Sequence, residues 1–112
     1  MLFRSDWAAF VAELDLADAT TAAPVLIDVR PREDWEAGHL PGAIPLGLHE
    51  VEAKVHELPP GVLWVHCRSG HRAGLVSSLL ERHGRHVVHV DDRWESVHDL
   101  ALPVVRESEV AA

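Results

Sequence analysis

Apolar residues along the chain follow two rhythms. Val25 to Val29, Val62 to His66 and Val87 to Val90 are short, nearly continuous apolar runs of strand length, the pattern of strands covered on both faces. Between them the spacing becomes helical. Trp7, Phe10, Val11 and Leu14 predict a first helix over residues 5–16 with Ser5 as its N-cap. ADATTAAP reads as a loop closed by Pro24, and REDWEA as a short helix opened by Pro31 and stopped by Gly38. HLPGAIPLG gives a turn, a short extended piece and another turn. Leu48, Val51, Val55 and Leu58 then mark an amphipathic helix ended by Pro59-Pro60-Gly61. Ala73 to His83 predicts a helix with Leu75, Val76, Leu79 and Leu80 inward and Gly84 as its stop. Arg93 to Leu100 looks helical, and Pro103 opens a polar tail.

Short apolar strands alternating with helices predict an α/β fold: a mostly parallel central sheet flanked by helices on both faces. No repeat, low-complexity stretch or linker divides the 112 residues, a length that suits one domain with a core over about 3–104 and a frayed tail at 105–112. With 47% hydrophobic and 25% charged residues the composition is that of a globular chain. The formal net charge of -8 argues against nucleic acid or an anionic membrane as partner. Asp6, Glu13, Asp15 and Asp18 interrupt the apolar N-terminal segment, which fits neither a signal peptide nor a membrane span. A single cysteine allows no internal disulfide, and a cytoplasmic location is expected.

That cysteine is where the charge pattern breaks. In WVHCRSGHRAG, Cys67 ends an apolar strand, and Arg68, His71 and Arg72 cluster behind it in an otherwise acidic chain. In parallel sheets, ligands bind where the loops after the strands gather, and Cys67 lies at such a position. A lone cysteine after a strand is by default a small buried hydrophobe. The loop argues otherwise: arginine charges and the N–H groups of the following helix favour the thiolate and hold an anion beside it. Gly70 gives the backbone freedom to curl its amides inward, and Ser69 offers one more donor.

Cys-Arg-Ser-Gly-His-Arg after VLWVH resembles the active loop of the rhodanese-like domains, sulfurtransferases that carry sulfane sulfur as a cysteine persulfide. Two further stretches match in order: VLIDVRPREDWEAGHLPGAIPL resembles the family's N-terminal signature, and Gly84 followed by HVVHV resembles the segment after the active loop. The resemblance covers about residues 3 to 104. It implies a single-domain rhodanese-like fold and a thiosulfate or persulfide sulfurtransferase that needs no cofactor and no metal. Cys67 would accept the sulfur. The amides of Arg68, Ser69, Gly70, His71 and Arg72 would cradle it, and the Arg68 and Arg72 side chains would bind the donor's anionic end. Asp28 and Arg30 would brace the site, with Asp28 as a buried acid beside Arg72, and His39 would hold a turn. The implied partners are a small sulfur-containing anion or protein persulfide and an acceptor thiol, on a monomer or weak homodimer.

The chain departs from the family where a Gly-Gly pair is usual. Asp91 and Asp92 stand there, and carboxylates at the mouth would disfavour thiosulfate relative to a protein-bound persulfide; an ordinary solvated turn is the competing reading. Two other functions compete. A phosphatase or arsenate reductase also uses a thiolate in an anion-binding loop, but the phosphatase pattern His-Cys-x5-Arg is one residue longer than the Cys67–Arg72 loop, whose smaller nest suits a sulfur better. A non-catalytic or redox-sensing binding module is the other, and the complete loop counts against it. His49, His56, His83, His86, His89 and His98 lack metal-ligand spacing and read as solvated or capping residues, and Trp7, Trp35, Trp64 and Trp94 as core and rim fillers.

Overall fold

The computed structural model describes residues 3–17 and 23–106. Five strands form one all-parallel sheet: β1 Phe3–Ser5, β2 Val25–Asp28, β3 Ile44–Pro45, β4 Leu63–His66 and β5 Val87–Val90, in the spatial order β1-β5-β4-β2-β3. Helices α1 Trp7–Leu16, α2 Arg32–Ala37, α3 Val51–Lys54, α4 His71–Arg82 and α5 Ser96–Asp99 connect and cover them. The connection after β2 runs to β3 on one side and that after β4 to β5 on the other. The carboxyl ends of β2 and β4 therefore flank the point where the winding reverses, the place such sheets leave open for a ligand.

The period-2 alternation of the strands sorts the core into two clusters. Ile27, Val29, Leu63, Val65, Cys67 and Val87 join Val51, Val55, Val76 and Leu80 beneath α3 and α4. Leu26, Trp64 and Val90 face the other way, against Trp7, Phe10 and Val97 of α1 and α5. The predicted fold class is therefore found, with both sheet faces covered.

Several boundaries differ from the sequence reading. Ser5 is not the start of the first helix but the end of an edge strand, Phe3–Ser5, with Phe3 lying beside Val88 and Ser5 beside Val90. The cap is Asp6, whose carboxylate accepts the Ala9 N–H at 2.9 Å, instead of Ser5. Trp7 and Phe10 are buried, but Leu14 is exposed. The helix after Leu48 is a single α turn between two 3₁₀ turns, Leu48–Glu50 and Val55–Glu57. Helix α4 starts two residues before Ala73, so His71 and Arg72 belong to its first turn, and Leu75 points to solvent. Only Ser96–Asp99 of the last predicted helix is α-helical. The C-terminal segment is still anchored at Val105, which exchanges two backbone hydrogen bonds of 2.8 Å with His39. Residues 107–112 of the expected tail and 18–22 of the ADATTAAP loop lie outside the described residues.

One polar side chain sits in the middle of the second cluster. His66 ends β4, is 1% exposed, stacks on Trp94 at 5.4 Å and meets the Trp7 ring edge at 4.7 Å. Neither ring nitrogen makes a hydrogen bond of normal geometry, although Nε2 lies 3.5 Å from Asp28 Oδ2. Burial pushes the imidazole down to about 4; the Asp28 carboxylate opposes this, the Arg30 charge adds to it, and the Cys67 backbone opposes it weakly.

This environment predicts an acid sensitivity of known sign. The native ring stays neutral while the unfolded one takes a proton below about pH 6.5, so stability is full above that pH and is lost as pH falls toward 4. The loss from this group reaches about 3 kcal/mol. Urea unfolding of the wild type and of His66→Phe from pH 7.5 to 4.5 checks it. The stability difference between the two should change steeply with pH below 6.5, and a constant difference would refute the assignment.

Candidate active site

The loop after β4 wraps around the cysteine. Gly70 adopts φ +90, a left-handed conformation natural to glycine, and caps α4 without a side chain. The turn aims two backbone donors at the sulfur: Gly70 N–H at 3.1 Å and Ala73 N–H at 3.3 Å from Sγ. Gly70 belongs to the amides expected to form the cradle; Ala73 lies one residue past them. The helix behind contributes its positive N-terminal end to the same point.

Cys67 is 4% exposed and packs within the first apolar cluster, yet it also lines a cleft of about 300 Å³. Arg68, Ser69, His71 and Arg72 form one wall of this cleft, and Arg30, Pro31 and Asp34 the other. Arg68, Ser69, His71 and Arg72 are exposed, so their polar ends reach the solvent above the thiol. A hollow of about 490 Å³ adjoins the cleft, sharing Arg30, Asp34 and Arg68 and ending at Trp94, Glu95 and Val104.

Asp28 and Arg30 come together as a buried pair. Arg30 Nε donates to both carboxylate oxygens at 3.0 and 3.1 Å, Nη2 donates to Oδ2 at 2.7 Å, and the Arg30 backbone N–H donates to Oδ1 at 3.0 Å. Nη2 also donates to the Gly38 carbonyl at 2.6 Å, and the guanidinium lies 3.9 Å from the centre of the Trp94 ring. The expected Asp28–Arg72 contact is therefore replaced: the partner of Asp28 is two residues along its own chain, and Arg72 points into the cleft. His39 holds a turn as expected, its Nδ1 2.6 Å from the Trp35 carbonyl and its ring stacked on Trp35 at 4.1 Å.

The two aspartates do not guard the mouth. Asp92 accepts from Trp7 N–H at 3.2 Å, Arg93 N–H at 2.7 Å and Ser96 Oγ at 3.1 Å, which engages its carboxylate in the turn before α5. Asp91 lies behind the loop, beside Gly70, and lines a separate hollow with Arg4, His71 and His89. Neither residue lines the cleft that holds Cys67. The solvated-turn reading fits better than charge exclusion.

His89 is also not solvated: it is 5% exposed, and its Nε2 lies 2.7 Å from the Gly70 carbonyl. The expectation of a solvated or capping residue is corrected here; a histidine inside the apolar run VVHV, one residue before the strand's carboxyl end, shares the burial of that run. Trp94, taken only as a filler, donates its backbone N–H to the Arg68 carbonyl at 2.9 Å and ties the last segment to the cysteine loop. Asp34 had no flag in the sequence beyond its place in the first turn of α2. Among the described residues no group of histidine, cysteine or carboxylate side chains is arranged to hold a metal ion, and no helix is long and apolar enough to cross a membrane.

Comparison with known proteins shows the family of the chain. Thiosulfate sulfurtransferase PspE of Escherichia coli is 31% identical over 88 residues, covering 76% of this chain and 82% of PspE. The putative sulfur carrier protein YrkF of Bacillus subtilis is 32% identical over 60 residues, covering 53% of this chain; the match spans about a third of YrkF's length, 32%. A solved structure of an E. coli rhodanese with anions superposes with a TM-score of 0.62 at 30% identity, covering 75% of this chain and 99% of that one. The family model for the rhodanese-like domain matches residues 11–99, and the chain belongs to that family.

Proposed function

We propose that the protein is a sulfurtransferase that moves sulfane sulfur through a persulfide on Cys67. The observation that carries this reading is the convergence of Gly70 N–H and Ala73 N–H on Sγ at the floor of a cleft walled by Arg68 and Arg72. The likeness to PspE supports it.

The reaction needs only these groups. The Cys67 thiolate attacks the outer sulfur of thiosulfate, or of a persulfide donor. A new S–S bond forms, the donor's own S–S bond breaks, and sulfite or the donor thiolate leaves with the electron pair. Amide donors stabilise negative charge on the sulfur without moving, because the loop is already folded around it. Arg68 and Arg72 hold the anionic end of donor and leaving group. Arg30, already committed to Asp28 and Gly38, shapes the opposite wall instead of binding the donor directly. An acceptor thiolate or cyanide then attacks the terminal sulfur and releases Cys67 as thiolate. Because Asp91 and Asp92 stay off the mouth, thiosulfate is admitted as a donor.

Incubation with thiosulfate should add one sulfur atom to the intact protein by mass spectrometry, removed by cyanide and absent in Cys67→Ser. No gain from thiosulfate or from cysteine-derived persulfide would overturn the reading. Arg72→Ala should lower kcat/KM for thiosulfate by about tenfold to a hundredfold, the loss of one charged donor to the substrate. Unchanged kinetics in a folded variant would remove Arg72 from the site.

A further inference from the structure

We infer that His89 is a positioning residue: its Nε2–H holds the Gly70 carbonyl and thereby keeps the Gly70 N–H aimed at Cys67 Sγ. The inference rests on the reading of Cys67 as the reacting thiol. It begins from a buried imidazole that the transfer chemistry leaves unused.

A carbonyl oxygen only accepts, so the 2.7 Å contact between His89 Nε2 and Gly70 O requires the proton on Nε2. The other ring nitrogen, Nδ1, is buried without a hydrogen-bond partner, so among the described residues the Gly70 carbonyl is the one polar group that fixes the ring's orientation. Gly70 O also accepts the Gly74 N–H at 3.1 Å, the first hydrogen bond of the helix. Helix and strand thus grip the same carbonyl. Because the peptide following Gly70 is planar, that grip fixes one side of a residue whose φ of +90 would otherwise be soft, while its own N–H reaches Sγ.

The surroundings are fitted to the ring. A Cβ at Gly74, the fourth residue of α4, would stand 3.1 Å from His89 Cε1, so glycine here leaves the space that the imidazole occupies. On its far side the Gly70 backbone meets Asp91, whose Oδ1 lies 2.7 Å from where a Gly70 Cβ would be. The side chain of His89 shares the sheet face of Cys67, below α4, by the alternation of β5. Titratable and charged groups around the same hollow are Arg4 on β1, His71 in the first turn of α4 and Asp91 just past β5.

The tautomer is tested in the wild-type protein by long-range nitrogen–proton NMR of labelled histidine. An Nε2–H ring is expected for His89, and an Nδ1–H ring would overturn the inference whether or not any variant folds. The function is tested by the rate at which iodoacetamide alkylates Cys67 across a pH series. His89→Leu should slow alkylation at pH 7 by about fivefold and move the midpoint of the profile to higher pH, the effect of loosening one of two donors to the sulfur. His89→Gln, which can still present an N–H to Gly70 O, should recover most of the rate. A folded His89→Leu whose profile overlays the wild type would refute the role, as would a His89→Gln no better than leucine. Alkylation reads the thiol itself, so a protein that took no sulfur from thiosulfate would still report on His89.

Discussion

The rest of the site leans on one contact, the buried forked pair of Arg30 and Asp28. Asp28 is fully buried and ends β2, where a lone carboxylate would be strongly disfavoured. Arg30 satisfies it through side chain and backbone, and so converts the end of a strand into a rigid corner. From that corner the guanidinium reaches Gly38 at the end of α2 and lies against Trp94, whose backbone reaches Arg68 in the cysteine loop. Elements far apart in sequence thus meet at a single cation. Breaking a buried pair on one side typically costs about 3–5 kcal/mol, more than any one exposed contact of the cleft could return.

The same pair explains why two arginines of the neighbourhood behave differently. Arg30 has its charge matched by Asp28 and is almost wholly enclosed, so it shapes the wall. Arg72 sits in the first turn of α4 with its side chain exposed above the thiol. The family resemblance in the sequence assigns both to the site, but the division of labour depends on where one carboxylate points. Asp28 lies on the Leu26 and Trp64 side of the sheet by its alternation, whereas Cys67 lies on the Val65 side.

What could be read from the sequence follows from how strongly each feature is encoded. The strands β2, β4 and β5 stand out because burial on both faces demands continuous apolar residues, and the cysteine loop because it concentrates cations in an acidic chain. Strand β1 is hidden: at the sheet edge, Phe3 and Arg4 are exposed, and three residues carry no periodicity of their own. The start of α4 is displaced because Gly70 caps through its backbone conformation and not through a side chain that pattern reading recognises. Asp91 and Asp92 looked like a pair with one role, yet their side chains serve opposite sides of a turn. Such placements are set by the path of the backbone after β5, which no local propensity encodes.

Core membership and polar contact are not alternatives for Cys67. Its place beside Val65, Ala73 and Val76 fixes the side chain as firmly as any valine of the sheet, while two amides meet the sulfur at its open end. That rigidity matters because amides stabilise charge only when they need not reorganise to do so. Glycine in a helix interior costs about 1 kcal/mol relative to alanine, and α4 carries it at Gly74, where the His89 ring passes beneath the helix to the loop carbonyl. The helix gives up that stability where the imidazole lies against it and reaches the carbonyl of the residue whose N–H meets the sulfur.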